Sequence, residues 1–202
     1  MEALAKSSAR GRPREFCVDA ALAAALRVFW SKGYEGASMT DLTDAMGVTR
    51  PSLYAAFGNK EELFKKTLDL YERDKLAFMR AALEAPTAKG VAERLLNGVL
   101  DMQVGPDPKG CLGVISSTNC GTEAESIRAE VVKRRASSDA ALLRRFEQAK
   151  ADGDFPDHVE PAAMVSYLSA VTGGLCLQAG AGAPVEALRK LVDTTLALWP
   201  SR

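Results

Sequence analysis

Residues 38–57, SMTDLTDAMGVTRPSLYAAF, hold two short helical patterns separated by Gly47-Val48. No other feature constrains the fold as strongly. Neither pattern is long enough to stay helical alone in water, so each must be braced by a neighbour. Ser38 reads as the N-cap of the first, with Asp41 three residues on in the manner of a capping box, though Asp is shorter than the usual Glu. That helix ends at Met46, and Gly47 supplies the positive φ of the turn. Thr49 caps the second pattern, and Pro51 sits in its first turn, where a missing N–H is harmless. Phe57-Gly58 ends it. Two short helices meeting at a glycine turn make a helix-turn-helix. Leu42, Met46, Val48 and Leu53 suit the crossing, and Thr43 stands there with a hydroxyl that needs a carbonyl one turn back.

The flanks supply the brace. A first helix is expected over about residues 15–32, with Val18, Leu22, Ala25, Leu26 and Phe29 as its inward stripe and Gly33 as its stop. Asn59 caps a long fourth helix expected to run to about residue 83, with Leu63, Phe64, Leu68 and Tyr71 inward. Helical patterns then continue over about residues 88–103, 111–118, 123–151, 161–179 and 184–199. In the 123–151 helix Ile127, Val131, Leu143 and Phe146 face inward, and Lys133, Arg134, Arg135, Arg144 and Arg145 form a solvated face. Strand patterns are almost absent, so the fold class is all-α, with roughly nine helices. Three segments follow: a basic arm at 1–14, a helix-turn-helix unit at 15–64 and a larger helical unit at 65–202.

Formal net charge is zero, so bulk charge points to no partner and the local distribution decides. Lys6, Arg10, Arg12 and Arg14 face only Glu2 in the arm. The outer face of the second short helix presents Thr49, Arg50, Ser52 and Tyr54, a polar surface that can lie in the major groove of duplex DNA. Arg50 is the candidate for a base edge, because a guanidinium pairs bidentately with guanine. Thr40 and Lys60 are placed for phosphates, and Arg10, Arg12 and Arg14 for phosphates or the minor groove. The bland alternative is a solvated helix face.

The segment GYEGASMTDLTDAMGVTRPSLYAAFGNKEELF resembles the DNA-binding part of the tetracycline-repressor-like (TetR) family of bacterial regulators. Phe29, Lys32-Gly33-Tyr34, Ser38-Met39, Leu42, Gly47-Val48, Leu53-Tyr54, Phe57-Gly58 and Lys60-Glu61-Glu62-Leu63 carry the likeness in register. Ala55-Ala56 depart from it, where an aromatic and a histidine are usual. The resemblance implies a homodimer on a double-stranded DNA operator, released by a small-molecule effector of unknown identity bound in the second unit. It implies a repressor-type regulator; four widely spaced cysteines suit a reducing cytoplasm, and with no Gly-rich phosphate loop or supported acid pair no enzyme and no cofactor are expected.

Candidate effector contacts are Met102, Cys111, Cys120, Met164, Tyr167 and Cys176, each of which also suits a core position. Cys111 and Cys120 further allow a thiol-based redox or electrophile sensor or, less readily, a cysteine-dependent enzyme. A helical protein-binding adaptor is a third reading. No cysteine pair has zinc-ligand spacing, and Asp152, Asp154, Asp157, His158 and Glu160 read as a solvated loop, so no metal is expected. No apolar run approaches a membrane span, and no membrane partner is expected. Tyr167, Ala170, Gly173, Gly174, Leu188, Leu191, Val192, Thr195 and Trp199 are the expected dimer contacts of the last two helices.

Overall fold

A computed structural model describes residues 17–118 and 124–200. Arg10, Arg12, Arg14 and Cys120 lie outside the described residues. The elements are α1 (Val18–Gly36), α2 (Met39–Met46), α3 (Arg50–Phe57), α4 (Lys60–Asp74), α5 (Ala77–Ala82), α6 (Ala88–Met102), α7 (Leu112–Thr118), α8 (Glu125–Ala151), α9 (Pro161–Gly180) and α10 (Val185–Ala197). Among the described residues no strand occurs, and the fold is all-α.

Local chemistry fixes α2 and α3. The Ser38 hydroxyl accepts the Asp41 N–H at 3.0 Å, and the Asp41 carboxylate accepts the Ser38 N–H at 2.9 Å. Lys32 donates to Asp41 at 2.6 Å. That bond, reinforced by the Ser38 N–H and hydroxyl, holds the Asp41 carboxyl far below the usual carboxylate range. Gly47 is left-handed, at φ 66° and ψ 31°. Open space surrounds the position a Cβ would take there. Gly47→Ala is therefore strained through the backbone alone, by about 1–2 kcal/mol. Thermal unfolding should register that loss.

In α1 the buried stripe is Ala21, Ala25, Leu26, Phe29 and Trp30. Val18, expected inward, is 48% exposed, because the stripe begins at Ala21. Gly33 breaks the helical geometry at φ 72°, and a short turn carries the chain on to Gly36. The expected long fourth helix divides in two. The Leu76 N–H reaches back five residues to the Tyr71 carbonyl at 3.2 Å, and α5 then turns onto α6. Gly98 makes room there for the Phe78 ring, which occupies the place of a Cβ. The Lys75 ammonium pairs with Asp107 at 2.6 Å across the break.

Two buried clusters result. One joins α1 to α4 with Leu112, Ala124, Ile127 and Val131. Its centre is aromatic: Phe64 meets Phe29 and Tyr34 edge-on at 5.0 Å and 5.2 Å, and Trp30 meets Tyr71 at 4.9 Å. The other joins α5, α6, α9 and α10 to the end of α8, with Phe146 against Phe155 at 5.6 Å and Trp199 at 5.8 Å. Helix α8 thus contributes to both, and the boundary expected at 64–65 falls inside α4. Leu142, rather than Leu143, is its buried leucine.

Two arginines expected on a solvated face are instead engaged. Arg134 holds Asp69, Glu72 and Glu130 at 2.8, 3.1 and 2.7 Å. Arg145 donates to the carbonyls of Leu83, Ala85 and Pro86 at 3.2, 2.8 and 3.0 Å. These carbonyls follow α5, where a helix end leaves acceptors unpaired.

Helix α10 corrects part of the expected dimer surface. Leu188, Val192 and Thr195, with Trp199 just beyond, are buried in the chain itself. The stripe they form turns inward because α10 packs on α6 and α9. Leu191 is half-buried. Helix α9 keeps an uncovered face: Tyr167 is 41% exposed, Leu177 is 63% exposed, and Ala170 lies between them. Nothing stands within 4 Å of a Cβ placed at Gly173 or Gly174. By length and composition α9 is apolar enough to cross a membrane, with a mean hydropathy of 1.3, against the sequence expectation. It packs against α6, α7, α8 and α10.

Candidate nucleic-acid interface

The capped start of α3 sets the geometry. The Thr49 hydroxyl accepts the Ser52 N–H at 3.4 Å and pairs with the Ser52 hydroxyl at 2.9 Å. Leu42, Met46, Leu53 and Phe57 are buried beneath, and Val48 is half-buried. The Thr43 hydroxyl donates to the Met39 carbonyl at 3.0 Å, one turn back as expected.

The opposite face is open. Arg50 is exposed and donates to the Thr40 hydroxyl at 3.2 Å. That bond brings the expected Thr40 of α2 and Arg50 of α3 together on one surface. Tyr54 is 49% exposed and follows Arg50 by one helical turn. Thr49 is exposed, and Ser52 is half-buried beside it. Lys60 is held differently from the others: its ammonium sits over the Tyr34 ring, 4.6 Å from the centroid. Burial lowers its pKa, against the opposing field of Glu35. Burial, then Glu61, raises that of Tyr34. Thr40, Thr49, Arg50, Ser52 and Tyr54 thus form a patch that can donate and accept hydrogen bonds at a groove edge. A single guanidinium supplies its charge.

A second feature ties this unit to the rest. The Trp30 indole donates to the Gly110 carbonyl at 3.2 Å, and the Gly110 N–H is held by the buried Gln103 amide at 2.8 Å. Asp107 pairs with Arg27 of α1 at 2.7 Å as well as with Lys75. Lys75, then Arg27, lowers the Asp107 pKa. The 103–111 loop is therefore seated on α1. Sequence reasoning missed these roles for Arg27, Gln103 and Asp107. A Pro/Gly-rich connection carries no sign that its one aspartate bridges two helices.

The expected effector residues do not share one chamber. Met102 and Cys111 pack against the first cluster. Met164 packs against the second, and Tyr167 points outward from α9. Cys176 is buried on α9, and its thiol meets that of Cys111. The hydrogen bond from Cys176, helped by the Val114 N–H and opposed by burial, lowers the Cys111 pKa. The same bond raises that of Cys176. In the acidic loop the Asp154 carboxylate accepts the Ala88 N–H, and Glu160 pairs with Lys150 at 3.1 Å. Among the described residues no group of three or more His, Cys, Asp or Glu side chains is arranged to hold a metal.

Residues 21–67 match the family profile described as bacterial regulatory proteins, tetR family. The HTH-type transcriptional repressor ComR of Escherichia coli is 34% identical over 195 residues, spanning 95% of this chain and 92% of the relative. The HTH-type transcriptional repressor BdcR of Escherichia coli is 44% identical over 66 residues, 33% of this chain and 34% of the relative. A cysteine mutant of the TetR family transcriptional regulator CifR, complexed with 26bp double-strand operator DNA, superposes with a TM-score of 0.87 at 36% identity. That likeness spans 94% of this chain and 100% of the other.

Proposed function

The chain belongs to the TetR family of bacterial transcriptional regulators, and from that premise we propose that it represses by binding a pseudo-palindromic operator as a homodimer. Arg50 reads a base edge, with Thr40, Thr49, Ser52 and Tyr54 making phosphate and base contacts. Lys60 adds a phosphate contact at the edge of the patch, and Arg10, Arg12 and Arg14 contact phosphates or the minor groove. The single observation that carries this reading is the outward Arg50–Thr40 pair on a capped α3 braced from below. The related CifR regulator, seen on a 26bp double-strand operator, supports duplex DNA as the class of target. A cytoplasmic location follows from such a target.

The homodimer is assigned to the uncovered face of α9. Tyr167, Ala170 and Leu177 form an apolar stripe, and Gly173 and Gly174 leave room for a partner helix to approach closely. The double substitution Tyr167→Glu with Leu177→Glu is expected to give a folded monomer by light scattering. It should also lose most operator affinity, since one recognition helix cannot hold two half-sites. A dimer that survives both changes would move the interface elsewhere.

A small-molecule effector acts by binding better to a form whose two α3 helices are spaced wrongly for DNA. The seating of the 103–111 loop on α1 supports this route, because it joins the second unit directly to the helix that braces α2.

A further inference from the structure

The part of α3 that points furthest from the protein carries no charge. Leu53 and Phe57 are the buried residues of this helix, at 0% and 3% exposure. Residues advance about 100° each around a helix axis, so these two stand about 40° apart and their midline fixes the inward direction. Ala55 then falls about 180° from that midline, with Pro51 about 40° to one side of it. Both are exposed. Arg50 and Tyr54 stand on the flank beyond Pro51, and the Arg50 guanidinium reaches toward α2, where it donates to the Thr40 hydroxyl at 3.2 Å. Ser52 and Ala56 stand on the other flank. The centre of the outward face is therefore a methyl group beside a pyrrolidine ring, bordered by the hydrogen-bonding side chains.

A central alanine has two consequences in a major groove. No long side chain holds the helix backbone away from the base edges. The Ala55 side chain also has no donor or acceptor, so it discriminates among base pairs by apolar contact alone. The apolar group that a base pair presents in that groove is the thymine methyl. We propose that Ala55, with Pro51 beside it, reads a thymine methyl in each half-site, next to the base that Arg50 reads. The inference rests on the operator reading above and deepens it: the half-site becomes a guanine with a neighbouring thymine. Cytosine in the thymine's place would set its amino donor against the Ala55 methyl, where it loses water and gains no acceptor.

The size of the effect follows from burial. Withdrawing one methyl group from water changes affinity about fourfold, and the two methyls of a symmetric operator together about fifteenfold. An alanine that merely filled the helix would leave the base pair opposite it unread. Uracil, which lacks only the methyl and keeps the pairing, would then bind as thymine does.

The test starts from duplexes that the full chain selects out of random sequence, with each thymine of the selected site then replaced by uracil in both half-sites. A thymine adjacent to a guanine should show a loss of about fifteenfold. In Ala55→Gly the same replacement should cost less than about twofold, because the protein's half of the contact is gone. Ala55→Ser keeps more helix propensity than glycine and brings a hydroxyl that can pair with either pyrimidine. It should therefore shrink the uracil penalty and also admit cytosine at that position. Circular dichroism melting of both variants shows that each is folded at the assay temperature. A selected site with no methyl-sensitive thymine, or a uracil penalty that both variants leave unchanged, overturns the assignment of Ala55 while the operator reading stands. If selection yields no preferred duplex, the operator reading falls and this inference with it.

Discussion

Arg50→Ala is expected to weaken binding to the operator about 5- to 150-fold, the range for losing one bidentate contact to a base. Four features bear on the size and specificity of this effect. Arg50 lies on the exposed side of α3, and its one described hydrogen-bonding partner is the Thr40 hydroxyl. Exchanging that neutral contact for a guanine edge loses little. The cap beneath it does not depend on the guanidinium: Thr49 accepts the Ser52 N–H whatever side chain stands at position 50. Alanine also suits a helix, so the variant should unfold at nearly the same temperature. Ala55 and Ala56 offer no long side chain that could share the readout. Fluorescence polarisation with specific and scrambled duplexes measures both terms. The loss should fall on the specific duplex, with weaker change on the scrambled one. Equal losses on both would make Arg50 a phosphate contact.

Phe64→Ala is expected to destabilise the protein by about 3–5 kcal/mol. Phe64 is fully buried on the first turns of α4 and packs edge-on against Phe29 and Tyr34. Removing the ring opens a cavity between α1 and α4, the two helices that brace α2 and α3 from behind. Those short helices cannot stand alone, so DNA binding should be lost together with the fold at moderate temperature. Phe64→Leu fills much of the space and should cost less. Denaturant unfolding of both variants checks this. Near-wild-type stability of Phe64→Ala would mean that the aromatic contact carries little of the brace.

How far these side chains could be read from the sequence depended on the range of the interactions. Caps and turns are local, so Ser38, Gly47, Thr49 and Asn59 were legible, as was the carbonyl sought by Thr43. The face of α3 was legible for the same reason. Contacts between distant segments were not. The break after Asp74 depends on Phe78 finding space over Gly98, and nothing near Lys75 in the chain announces it. Arg145 looked solvated because its partners, the carbonyls of 83–86, lie 59–62 residues away. The α10 stripe repeats as an interface would, and periodicity alone does not distinguish a subunit contact from burial against α6. Cys111 stood out in the sequence as a thiol, but its partner proved to be Cys176 on α9, which spacing could not reveal.

The most direct measurement is a titration of the reduced protein against labelled duplex from the region upstream of its own coding sequence, at stepwise salt concentrations. Two chains per duplex are expected, protecting half-sites about 34–36 Å apart, with affinity that falls as salt rises and exceeds that for scrambled DNA by at least about a thousandfold. Binding by a single chain, or no preference over scrambled DNA on that region or on any duplex selected from random sequence, would contradict a paired α3 reading an operator.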